Sequence, residues 1–240
     1  MLANQATEEV NVVLRFQATH PLLALAFLMP LSLFGLAAAA EPQPITALLL
    51  EADGLLIEAS DVTVEGCTLL DWGRDLTAMN AAIFVQPKAQ RVVIRDNQLR
   101  GAGFGVWVDG SKDVSLIGNR IEGDTSIRSQ DRGNGIHLYA VSGARIIDNQ
   151  VRHTRDGIYI DTSNGNHIEG NVLEDLRYGV HYMFANDNSV IGNVTRRTRT
   201  GYALMQSRKL EVIGNRSEGD ENYGILMNYI TYSTIRDNVV

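Results

Sequence analysis

The sequence predicts an all-β fold, a right-handed parallel β-helix built from coils of about 22 residues. Three observations predict it. Asparagine recurs at 97, 119, 149, 171, 193, 215 and 238, with spacings of 22, 30, 22, 22, 22 and 23 residues. An aliphatic side chain stands three places before each of them: Ile94, Leu116, Ile146, Ile168, Val190, Val212 and Ile235. Glycine recurs at 105, 135, 157, 179, 201 and 224, and each opens a short β-prone run. A fixed repeat of this length signals a solenoid, and no window carries a helical apolar period long enough to compete.

Residues 1–40 come first. From Leu22 to Ala40 the chain is apolar apart from Pro30 and Ser32, and it ends in four alanines before Glu41-Pro42. This is the pattern of a secretory h-region with a small-residue cleavage site, although Glu8 and Glu9 sit where positive charge is usual. An uncleaved membrane anchor is the other reading. The expectation is a signal peptide over 1–40 and a β-helix over 41–240.

The repeat begins at Val64-Glu65-Gly66-Cys67, with Cys67 in the asparagine slot as a small buried group. One coil cannot bury its apolar side alone, whereas stacked coils pair every backbone group with the rungs on either side. The asparagines are then expected to form an amide ladder, each carbonyl accepting from the next coil's NH₂. Glycine supplies turn conformations that a Cβ forbids. Both 30-residue spacings carry eight extra residues, near Asp71–Asn80 and Asp124–Gly133, on one edge and two coils apart. Such insertions often build a binding face. The last coil has no polar cap, so the β-helix is expected to be truncated on its C-terminal side.

Counting from each glycine, positions one and three face inward and positions two and four outward. The second-position column reads Trp107, His137, Tyr159, His181, Ala203, Leu226. The fourth reads Asp109, Tyr139, Asp161, Met183, Met205, Asn228. His181 and Met183 share a face, and Met205 lies one rung away, about 4.8 Å. Imidazole with two thioethers suits Cu(I), so His181, Met183 and Met205 are the candidate metal ligands, with partner contact or plain packing as the alternatives. Trp107, His137, Tyr139, Tyr159 and Asp161 are the candidate groove or partner-contact residues. Met227 falls on an inward position and is expected in the core.

A formal charge of −7 argues against a nucleic-acid partner. The single cysteine excludes an intramolecular disulfide. An enzymatic alternative uses the same face: a polysaccharide (uronan) lyase or C5-epimerase with Tyr and His as base and acid. The outward columns, however, hold no Lys or Arg to neutralise a uronate.

The runs Gly133-Asn134-Gly135-Ile136-His137-Leu138-Tyr139, Gly157-Ile158-Tyr159-Ile160-Asp161, Arg177-Tyr178-Gly179-Val180-His181-Tyr182-Met183 and Tyr202-Ala203-Leu204-Met205-Gln206-Ser207-Arg208 resemble the NosD family. The resemblance implies a periplasmic, non-enzymatic accessory protein of nitrous oxide reductase maturation. It also implies partners: an ABC transporter's ATPase and membrane subunits, a copper chaperone lipoprotein and the reductase, whose copper–sulfur centre is assembled. Members of that family are longer than this chain.

Overall fold

The computed structural model describes residues 45–46, 49–51 and 54–240. The expected export segment, 1–40, lies outside them. Each coil contributes a strand to each of three parallel sheets of nine, eight and eight strands, and each strand pairs with the third one along in sequence. The expected solenoid is therefore the observed architecture.

The aliphatic column runs up the first sheet in direct register, Val64, Ile94, Leu116, Ile146, Ile168, Val190, Val212 and Ile235. All but the last are fully buried. Strands here are only three residues long, and what ends them is local. The residue after each of these strands, Asp96, Gly118, Asp148, Gly170, Gly192, Gly214 or Asp237, has φ between 54° and 66°. Glycine and aspartate tolerate that left-handed conformation, which explains why one or the other precedes every ladder asparagine.

The ladder forms with a polarity opposite to the expected one. Each side-chain NH₂ donates forward, so each carbonyl accepts from the preceding coil, as in Asn97 to Asn119 (2.9 Å), Asn149 to Asn171 (2.9 Å) and Asn171 to Asn193 (2.8 Å). The reason lies in the backbone. Each asparagine's own N–H also points forward onto that same oxygen, as Asn149 N–H does onto Asn171 Oδ1 at 2.9 Å. Cys67 occupies the first slot, its N–H donating to Asn97 Oδ1 at 2.9 Å. Its buried thiol lies against the carbonyls of Ile45 and Glu65.

Glycine turns out to serve two purposes. Besides the left-handed positions, the column at 105, 135, 157, 179, 201 and 224 has no positive φ. There the need is space: a Cβ on Gly157 would lie 2.6 Å from Gly179 O, and one on Gly179 would lie 2.6 Å from Gly201 O.

Inward positions of the third sheet hold Val106, Val108, Ile136, Leu138, Ile158, Ile160, Val180, Tyr182, Tyr202 and Leu204, all fully buried. Met227 continues that column opposite Leu204, as expected. It is nevertheless 52% exposed, because its strand is the end strand of the third sheet among the described residues. The two eight-residue excursions leave one edge, and pairing resumes in register after each, with Leu116 opposite Ile146. Trp72 anchors the first excursion, buried against Gly101 and Gly103.

Candidate functional site

The second-position column of the third sheet stands as the glycine count places it: Trp107, His137, Tyr159, His181 and Ala203 are in direct register. Phe84 extends it one rung earlier. The rings touch along its length. Trp107 and His137 have centroids 3.8 Å apart, His137 and Tyr159 4.7 Å, Tyr159 and His181 4.5 Å and stacked. Although they point away from the core, His137 and His181 are only 7% and 8% exposed. They are roofed by Leu76 from the first insertion, Arg132 at the end of the second, and Arg155 and Arg177 from the turns before the strands. With Phe104, Asn134 and Asp156 these enclose a cleft of about 360 Å³.

The absence of outward Lys or Arg expected from the sequence is thus corrected: three arginines face the cleft. They reach it from turn positions, not from the strand columns that were counted. The available signal is the recurrence of Arg155, Arg177 and Arg199 at 22-residue spacing, two places before the glycine.

Asp156, also missed, organises one end. It is 1% exposed and accepts both arms of the Arg177 guanidinium, at 2.7 and 2.6 Å, and His181 Nδ1–H at 3.1 Å. Burial alone would raise its pKa, but the Arg177 fork and the His181 contact outweigh that and hold it below the usual carboxylate range. An ionised Asp156 only accepts, so it fixes a proton on His181 Nδ1, and the nitrogen left open to another partner is Nε2. That nitrogen is buried and has no hydrogen-bond partner within the protein. His137 differs: burial, only partly opposed by Asp156, pushes it down to about 3, and it pairs through Nδ1 with the Asn134 amide at 3.2 Å. Burial likewise pushes the Tyr159 phenol up to about 12.

The fourth-position residues form a separate, neighbouring column, with Tyr139 opposite Asp161, Asp161 opposite Met183 and Met183 opposite Met205. None of them lines the cleft. Tyr139 is exposed, and Asp161, Met183 and Met205 are half-buried. Of the predicted groove residues, Trp107, His137 and Tyr159 meet in the cleft, whereas Tyr139 and Asp161 stand beside it.

Residues 117–240 match the family described as periplasmic copper-binding protein (NosD). The chain belongs to the NosD family. A probable ABC transporter binding protein NosD of Stutzerimonas stutzeri is 68% identical over 190 residues, which is 79% of this chain and 44% of that protein. Its Pseudomonas aeruginosa counterpart is 69% identical over 186 residues, 78% of this chain and again 44% of that one. The chain therefore spans less than half the length of these NosD relatives. Among solved structures, the periplasmic alginate epimerase AlgG superposes with a TM-score of 0.60 at 13% identity, covering 78% of this chain and 58% of its own. A DFA-IIIase mutant from Arthrobacter chlorophenolicus A6 gives 0.56 at 16%, covering 85% and 57%. At such identities these two share the fold alone.

Among the described residues of this NosD chain, no group of three His, Cys, Asp or Glu side chains is placed to hold a metal ion. His181 has the form that metal-binding imidazoles adopt, one ring N–H given to a carboxylate and the other nitrogen free. Met183 stands two residues along on the same outward face, and Met205 is its partner on the adjacent rung.

Proposed function

We propose that this chain is the β-helical part of a periplasmic accessory factor that handles Cu(I) as cargo during assembly of the copper centre of nitrous oxide reductase. It works with an ABC transporter's ATPase and membrane subunits and a copper chaperone lipoprotein, and residues 1–40 serve as its export signal. The carrying observation is the orphaned Nε2 of His181, oriented by Asp156, on the face that also presents Met183 and Met205. Soft thioethers with a neutral imidazole favour Cu(I) over harder ions. The family's description supports copper and periplasm, and the relatives' names support the transporter. The acidic balance speaks against nucleic acid.

A binding role is favoured over uronan lyase or epimerase chemistry by the proton affinities along the strip. General-base catalysis works best when the base titrates near the working pH. Tyr159 is held protonated and His137 is too weak a base.

Competition for Cu(I) against bicinchoninate tests the copper reading. The wild-type chain is expected to hold the ion, and Met183→Ala/Met205→Ala to lose about ten-fold or more in affinity. Equal competition by both proteins would remove Cu(I) from this site. Docking is tested separately, by co-purification with the membrane-embedded transporter.

A further inference from the structure

The cleft includes His181 of the proposed copper ligands, but the rest of its lining has a different chemistry. We propose that it is a binding site for a small cyclic carboxylate, an acidic sugar or an aromatic acid, with the carboxylate on Arg132 and Arg155 and the ring against Trp107 and Tyr159. This reading does not rest on the copper one.

Charge leads to it. Three guanidinium groups and one carboxylate line the cleft, and that carboxylate, Asp156, is already taken by the Arg177 fork. Arg132 donates to backbone carbonyls, those of Ile127 at 3.0 and 2.6 Å and of His153 at 2.7 Å. These contacts fix the group in place without neutralising it, and half-buried Asp124 interacts with it through space, with no ion pair between the two. Among the described residues neither Arg132 nor Arg155 forms an ion pair. His137 stays neutral, so it contributes nothing to the balance. A chain of net charge −7 thus concentrates two uncompensated cations in one recess.

Hydrogen bonding gives the same answer independently. Arg155 Nε and Trp107 Nε1 are both buried without a partner within the protein. Buried donors left unpaired are destabilising, and native structures keep few of them. A carboxylate is the complement these donors need, since it only accepts and has lone pairs for several of them. The walls give the rest of the ligand its shape. Phe104, Trp107 and Tyr159 make part of the wall aromatic, and a cleft of about 360 Å³ takes a body of one or two rings. Leu76 and Arg132 belong to the two insertions, so the recess is closed over where the repeat departs from 22 residues.

Tryptophan fluorescence and calorimetry on the whole chain test this, with galacturonate, benzoate, acetate and galactose as probes. Galacturonate or benzoate is expected to quench Trp107 saturably, and the tighter of the two distinguishes a sugar from an aromatic acid. Acetate, lacking a ring, and galactose, lacking the charge, are expected to bind at least about ten-fold more weakly. Arg155→Gln is expected to lower affinity about ten-fold or more. Arg199→Gln, at the equivalent turn position outside the cleft, is expected to leave it unchanged. Trp107→Phe keeps a ring but removes the N–H, and a several-fold loss is expected by calorimetry. Circular dichroism of each variant checks that the coils persist. The proposal is overturned if neither ring acid binds, if acetate or galactose binds as tightly, or if Arg155→Gln and Trp107→Phe both fold and bind like the wild type.

Discussion

The inner face of the first turn and the outer face of the third sheet are built from the same repeat, yet they treat polar groups in opposite ways. Along the asparagine ladder each carbonyl from Asn119 onward receives a side-chain and a backbone N–H from one coil below, and each NH₂ also reaches a backbone carbonyl. Identical residues on successive rungs from Asn97 onward make the system closed, and nothing in it is left to bind. The outer column has no such uniformity. Phe84, Trp107, His137, Tyr159, His181 and Ala203 succeed one another, and Trp107, Arg155 and His181 keep buried polar atoms without partners. Where a solenoid repeats a residue it is stabilising itself; where it varies the residue and leaves donors open it is prepared for something else.

Breaking the closed side is expected to have the largest effect. Asn171→Leu removes the acceptor of Asn149 N–H and NH₂ and the donor to Ile146 O and Asn193 Oδ1, all of them buried. Several groups would be orphaned at once, each worth about 1–3 kcal/mol, so a loss of at least about 3 kcal/mol is expected in urea unfolding.

The open side is better probed by acid. His137 has an ordinary value of 6.5 but is held at about 3 in the folded chain. Below pH 6.5 the unfolded chain binds a proton that the folded one refuses, so stability must fall as the pH drops towards 3. The slope for one proton reaches about 1.4 kcal/mol per pH unit. His137→Phe, which keeps a ring in the column, is expected to flatten that part of the curve, measured as urea midpoints across this range. An unchanged slope in the variant would show that His137 is not kept neutral.

The smallest effect should come from extending the ladder. Cys67 already donates its N–H to Asn97 Oδ1 and places its thiol against Ile45 O and Glu65 O, the acceptors that an asparagine NH₂ would use. Cys67→Asn is therefore expected to be neutral or to stabilise by about 0.5–1 kcal/mol. A clear loss would mean that the slot accepts sulfur for a reason the ladder does not contain.

Period and phase were legible in the sequence because a solenoid writes each contact 22 residues from its partner. The ladder, the aliphatic column, both outward columns and the edge from which the insertions leave all follow from counting. The roof of the site did not follow. Arg132, Arg155, Asp156 and Arg177 sit in turns, where side-chain direction depends on local φ and ψ instead of strict alternation. The counted strip therefore looked open and without cations. Ladder polarity was missed for a related reason: the spacing of amides does not say which way the backbone N–H points.

Each eight-residue excursion departs and returns without disturbing the coil beneath it. The wall of the recess is in this sense upholstery on a fixed frame. Its length and composition can be rewritten, and a different guest accommodated, while the spine goes on counting rungs as before.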